Sequence, residues 1–306
     1  MTKIDAFAHV FLPHFADAMR AVHPTLDQDM PFLHIPALGD IAIRRAAQPH
    51  DVRQIISMVN VNPEDYVDSE PAAELTRQAN EELSRTVRDH PDLFSNGVAM
   101  ICANNIDATV ATIEQIASRR ARGDDTLVGI QVFTRHLGRS VADPMFRPIF
   151  AACAAHDVPL WLHPVFDARK PDNNVVFSWE YELSQAMMQI VQAGCFADFP
   201  GLRILVHHAG ALVPYFYERI RHILGEDTAR QFRLFYADTA LIGNAPALAL
   251  AYSFYGDHLL FGTDAPFAVP PAGATGEVIE AIRQLDLGDD GKNAIFRRNV
   301  ERFVGR

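Results

Sequence analysis

Five ionisable residues sit at the polar ends of apolar runs. His9 follows IDAFA, His163 closes VPLWLH, His207 and His208 close LRILVHH, and Asp264 closes LLFGTD. Imidazole nitrogens with a carboxylate oxygen suit Zn²⁺ or a similar borderline cation, and three protein ligands leave positions open for water or substrate. A lone histidine at a strand end is more often a hydrogen-bonded structural residue, and an aspartate before Ala-Pro can cap a helix. Four such residues on four separate runs weigh towards one joint site. Alternation along a strand sends His207 and His208 to opposite faces, so only one of them faces that site, and spacing does not say which.

Residues this far apart in sequence meet only if the chain brings their runs to one end of a common scaffold. Eight β-rich apolar runs are present: Lys3–Phe7, Gln54–Asn60, Asn96–Cys102, Val128–Phe133, Val158–His163, Arg203–His208, Leu234–Asp238 and His258–Asp264. Helical candidates separate them, among them Ala72–Asp89, Asp107–Arg120, Phe146–His156, Tyr181–Ala193, Val213–Leu224, Ala245–Tyr255 and Thr275–Gln284. Near-continuous apolar strands alternating with amphipathic helices predict a parallel sheet covered by helices. Eight of them predict an α/β fold, a (β/α)8 TIM barrel, in which all C-terminal strand ends share one face. An open doubly wound sheet fits less well, because no Gly-rich phosphate loop follows the first run. The stretch from His14 to about Asp51, with four prolines and four histidines, reads as an insertion after strand one, lying over one end of the barrel. Asp167–Asn174 (DARKPDNN) reads as a polar loop at the active face. No low-complexity linker divides the chain, so residues 1–306 read as a single domain.

Composition removes several classes of function. Hydrophobic residues make up 49% and charged residues 21%, enough for a large core and against disorder. A formal net charge of −11 without a Lys/Arg cluster speaks against nucleic acid and anionic membrane as partners. No apolar run approaches the roughly 20 residues that span a bilayer. Cys102, Cys153 and Cys195 are odd in number and scattered, which argues for a reducing, cytoplasmic setting.

The order of these motifs resembles the amidohydrolase superfamily, and within it the decarboxylase-type family of aminocarboxymuconate-semialdehyde decarboxylase and its relatives. IDAFAHVFLP is similar to the family's opening I-D-x-H-x-H strand. PMFRPIFAACAAHDVPLWLHP, DFPGLRILVHHAGALVPYFYERI, FYADTALIGN and LLFGTDAPF resemble its later strand ends. The resemblance implies metal ligation by His9, His163 and Asp264. It implies that His208 works on bound water or substrate and that Asp264 also moves a proton. It implies a homodimer in which Arg219 reaches a substrate carboxylate across the subunit interface. Two positions depart from the family. Phe7 replaces the first histidine of the motif and becomes an apolar wall of the site. The arginine expected near Leu33 or His34 is missing, so the aminocarboxymuconate substrate itself is not expected. Phe267, just after Asp264, packs either on a flat substrate or in the core.

The reaction expected from this resemblance is metal-dependent, non-oxidative decarboxylation of a small unsaturated or aromatic acid. The alternative is a hydrolase or hydratase acting on a lactone, amide or C–C bond through activated water. The least favoured reading is a non-catalytic binding protein, to which only Phe7 points. The cofactor expected is one divalent metal ion, zinc first, with manganese or metal-free chemistry as alternatives. The partners expected are a small-molecule carboxylate and a second copy of the chain.

Overall fold

The computed structural model describes residues 2–165 and 174–305. Of the polar loop expected at 167–174, all but Asn174 lies outside the described residues.

The strands in chain order are β1 (Lys3–Val10), β2 (Val52–Met58), β3 (Phe94–Ala99), β4 (Leu127–Phe133), β5 (Arg135–His136), β6 (Arg139–Ser140), β7 (Leu160–His163), β8 (Ile204–Val206) and β9 (Tyr236–Ala237). Seven of them form one curled parallel sheet in the order β1-β2-β3-β4-β7-β8-β9, while β5 and β6 pair as a short antiparallel hairpin. Every residue of β1 and β4 is buried, as expected of strands covered on both faces. Parallel neighbours need crossovers, and helices supply them. The Ser69–Asp89 helix shows why. Its buried residues Ala72, Thr76, Ala79, Leu83 and Val87 recur every three or four positions, which makes one apolar stripe against the sheet.

The eighth run is not a regular strand, yet it joins the two edges of the sheet. Leu259 bridges Ala237 of β9, and Ala265 bridges Ala8 of β1, both in parallel. Ala6 N donates to Phe261 O at 2.7 Å and His9 N donates to Ala265 O at 2.7 Å. The ladder is interrupted because the C-terminal segment takes its place: Phe261 N donates to Ile295 O, and Asn299 Nδ2 to Leu259 O. Asp5 pins the same junction. Its carboxylate accepts from Thr263 N, Thr263 Oγ1 and Gln54 Nε2.

Inside the curl, Ile4, Ala6, Phe7, Ile55, Val98, Val128, Trp161, Leu205 and Leu260 pack with Val300 and Phe303 of the C-terminal helix. Trp161 fills this interior and donates its indole N–H to Ala6 O at 2.7 Å. Gly129 is required beside it, since a Cβ there would lie 2.2 Å from the Trp161 ring. The interior is therefore packed solid, and chemistry is confined to the strand ends.

Between β1 and β2 the chain forms the helix Pro13–Val22, short turns at Leu26–Asp29, Pro31–His34 and Pro36–Leu38, and the helix Ile41–Ala47. Arg44 anchors this stretch. Its buried guanidinium donates to His9 O at 2.6 Å, Ala37 O at 3.1 Å and Gln54 Oε1 at 2.8 Å. Burial pushes Arg44 down to about 10, although Asp5 opposes the shift. No helix among the described residues is long and apolar enough to cross a membrane.

Candidate metal centre

His9, His163, His207 and Asp264 each offer one ligand atom, and the four atoms lie within 4.8 Å of one another. The sheet register accounts for this. His9 pairs with Ser57 on β2, His163 ends β7 beside Phe133, and His207 N donates to Leu162 O one step beyond β8. All three histidines are at most 4% exposed.

One ring nitrogen of each histidine is held from behind. Ser57 Oγ lies 3.1 Å from His9 Nδ1, Pro164 O lies 2.6 Å from His163 Nδ1, and His207 Nδ1 contacts Asp238 Oδ2. This leaves each Nε2 turned to the centre, the arrangement by which outer partners orient metal ligands. His9 Nε2 and His207 Nε2 both lie 3.2 Å from Asp264 Oδ1, yet both are buried without a hydrogen-bond partner among the described residues. Two buried nitrogens converging on one carboxylate oxygen fit a cation between them. The donor set of three imidazoles and one carboxylate fits a divalent transition metal.

The electrostatics agree. Burial holds His9 below its ordinary value, against the pull of Asp264. Burial, with His9 and His207 adding to it, holds His163 far below. Neutral imidazoles are the form that ligates. Burial disfavours a charge on His207 as well, but Asp238 and Asp264 outweigh it and push the ring up to about 10. Burial would raise Asp264 and Asp238, but His207 holds both below the ordinary carboxylate value. Asp238 and Asp264 thus make the centre attractive to positive charge.

The residues expected from sequence fall into two groups. Phe7 is a floor of the centre, 1% exposed, with its ring 4.2 Å from that of His207 and 5.1 Å from that of His9. Phe267 lies at the mouth, half-buried, 5.7 Å from the His9 ring and 5.9 Å from Phe32 of the β1–β2 stretch. His208 is beside the centre but outside the ligand group. Its ring is 4.1 Å from His207, and its Nδ1 lies 2.6 Å from Glu180 Oε1. Arg219 is exposed on the Val213–Leu224 helix and is not among the residues brought together. Glu218 pairs with Arg221 instead, and Asp227 lies against Arg230.

The three residues expected as ligands, His9, His163 and Asp264, thus come together with a further candidate, His207. The reason is the backbone: the chain leaves β8 with His207 still extended and His208 at φ +54°. The sequence carried no signal for Glu180 or Trp179. Trp179 lies 5.7 Å from His163 and 6.3 Å from His208, ring to ring.

The chain belongs to the amidohydrolase family, whose sequence model matches residues 4–306. It is 27% identical over 289 residues to 6-methylsalicylic acid decarboxylase of Penicillium expansum, covering 88% of this chain and 86% of that protein. Its fold is similar to 5-carboxyvanillate decarboxylase from Sphingomonas paucimobilis, with a TM-score of 0.85, 21% identity, and 99% and 98% of the two chains covered. It is also similar to the 5-carboxyvanillate decarboxylase of Novosphingobium aromaticivorans, solved with manganese and 4-hydroxy-3-methoxy-5-nitrobenzoic acid. There the TM-score is 0.83 and the identity 19%, covering 100% of this chain and 96% of that one.

Proposed function

We propose that this chain is a metal-dependent, non-oxidative decarboxylase of a small aromatic carboxylic acid. The convergence of His9, His163, His207 and Asp264 at the strand ends carries this reading. A cation held by these four would supply Lewis-acid binding of the substrate carboxylate and a neighbouring oxygen. Zinc is favoured by the three nitrogen donors, and manganese is the alternative.

The remaining work falls to side chains at the mouth. Trp179 and Phe267, both half-buried, flank the centre and suit a planar ring. Phe7 closes the floor and keeps water from beneath. Asp264 is held as a carboxylate by His207 and His9 against the effect of burial, so it accepts a hydrogen bond from substrate and has no proton to give at the outset. His208 is the donor. Glu180 fixes its ring through Nδ1 and leaves Nε2 to deliver the proton. The bond from ring carbon to carboxyl carbon breaks, CO₂ leaves, and the electron pair left on the ring carbon takes the His208 proton. His208 then recovers a proton from solvent.

The test is metal analysis of the purified protein, with CO₂ release measured over a panel of hydroxybenzoates and unsaturated acids. A metal-replete protein that releases no CO₂ but opens lactones overturns this reading in favour of the hydrolase.

In this reading the chain is a single-domain, eight-stranded closed barrel, and the β1–β2 stretch is an insertion over its mouth. It works as a homodimer in a reducing, cytoplasmic setting, where its three cysteines stay free. Tyr215, Phe216 and Ile223 are exposed on the helix that carries Arg219, an apolar stripe for a second subunit to cover. Arg219 then supports the partner's substrate pocket. Mixing Arg219→Ala with His208→Ala subunits should restore activity. No recovery from proven mixed dimers overturns the shared pocket.

A further inference from the structure

A second cavity, of about 390 Å³, lies between the C-terminal part of the Ser69–Asp89 helix and the end of the Ile106–Ala121 helix. Helices that connect parallel strands run back antiparallel to them. These helix ends therefore sit by the starts of β3 and β4, at the opposite end of the sheet from the histidines. Four arginines, Arg85, Arg88, Arg119 and Arg122, line the cavity with Glu81, Ser84 and Asp124. Its size falls near the lower end of small-molecule pockets, about 300–1,000 Å³.

The charges there are not balanced. Glu81 is engaged by Arg77 at 2.5 Å. Asp124 accepts from Thr126 Oγ1 at 2.6 Å and Thr126 N at 3.1 Å; these bonds, with Arg119 and Arg88 nearby, hold it below the ordinary carboxylate value, so one carboxylate offsets part of the charge of the four arginines. Among the described residues, no hydrogen bond or ion pair engages the guanidinium of Arg85, Arg88 or Arg119, and Arg122 donates to Ser118 Oγ at 2.7 Å. Ser84 is 2% exposed, and its Oγ is buried without a hydrogen-bond partner. Helix C-termini favour positive charge, which explains a basic residue at each end. It does not explain four guanidiniums around one recess in a chain of net charge −11.

We infer that this cavity binds a small polyphosphate anion, gripped by Arg85, Arg88, Arg119 and Arg122. Each phosphate presents several oxygens that a planar guanidinium meets with two parallel hydrogen bonds, and linked phosphates match cations spread around an opening. No apolar side chain lines the recess, so neither a lipid tail nor a stacked base has a surface to rest on. The site stands apart from the metal centre and does not depend on the proposed reaction.

Calorimetric titration of the intact, metal-loaded protein with tripolyphosphate tests this. One ion should bind per chain, more weakly as ionic strength rises. Arg88→Ala/Arg119→Ala should weaken binding by about tenfold or more. Thermal melts of the variants confirm that they are folded, and both arginines lie outside the core. The inference is overturned if binding does not saturate up to millimolar concentrations. It is also overturned if binding survives the double substitution but is lost on chelation, since the anion then sits on the metal. Citrate binding as tightly as tripolyphosphate overturns the assignment to phosphate.

Discussion

Replacing His207 with alanine separates its two roles, as ligand and as partner of a buried charge. Asp238 and His207 are both 0% exposed and in contact. In His207→Ala the Asp238 carboxylate keeps, among the described residues, two backbone donors, Ala209 N at 3.1 Å and Ala240 N at 3.0 Å. Breaking a buried ion pair from one side costs about 3–5 kcal/mol, because the remaining charge stays desolvated. Metal affinity should fall by more than the roughly 10–100-fold seen when only an outer partner is lost. Adding Asp238→Asn removes the stranded charge, so the double variant should regain much of the stability and none of the affinity. Urea denaturation of the metal-free proteins gives the first quantity, and competition with a chromophoric zinc chelator gives the second. If His207→Ala binds zinc within threefold of the unmodified chain, His207 is not a ligand. If the double variant recovers affinity along with stability, the loss in the single variant came from misfolding.

Three further outcomes follow from the same geometry. His208→Gln should lower kcat by about 10²–10⁴-fold while metal content stays at one ion per chain, because His208 moves a proton and lies outside the ligand group. A loss of metal in that variant counts against the assignment. Phe7→His puts a polar ring into the buried floor, so the metal-free variant should lose about 1–3 kcal/mol, and zinc should raise its Tm more than it raises that of the unmodified chain. Equal zinc-induced shifts would show that position 7 cannot reach the cation. Burial pushes Asp5 up from 3.8 to about 6, and the hydrogen bonds from Thr263, Phe7 N and Gln54 oppose it only in part. The folded state therefore binds the proton more tightly than the unfolded state. Asp5's contribution should be largest below pH 4 and decline as pH rises to about 6, by ~3 kcal/mol at most. Subtracting the stability of Asp5→Asn across a pH series isolates that decline, and a flat difference refutes it.

Much of the fold was legible because its signals are local. The stripe Ala72, Thr76, Ala79, Leu83, Val87 and the apolar run through Val128–Phe133 are set by the 3.6-residue and two-residue periods alone. The eighth strand was legible as a run but not in its form. Its backbone groups are shared with Ile295 and Asn299, and nothing in LLFGTDAPF announces partners 30 or more residues away. Arg44 was illegible for a similar reason. Either arginine in IAIRRAA looks exposed, and only the folded chain brings His9 O, Ala37 O and Gln54 to Arg44. Glu180 lies two positions into the Ser178–Gln192 helix, where an acidic residue ordinarily needs no explanation beyond the helix dipole.

The choice between His207 and His208 shows where pattern reasoning stops. Alternation predicts that one of two consecutive strand residues faces inward, but it holds only while the backbone stays extended. Here it stays extended through His207, at φ −67° and ψ 164°. His208, Ala209, Gly210 and Ala211 then all take positive φ, a conformation that costs a non-glycine residue free energy and needs tertiary support. Asp238 provides part of that support. One carboxylate oxygen contacts His207 Nδ1 and the other accepts from Ala209 N. Tyr255 provides another part, since a Cβ at position 210 would lie 2.0 Å from its hydroxyl, which leaves glycine alone at that turn. The same carboxylate thus orients His207 towards the centre and holds the turn that carries His208 out of it towards Glu180. Two adjacent histidines face different neighbours, the centre and Glu180, because Asp238, thirty residues further on, fixes where the strand ends.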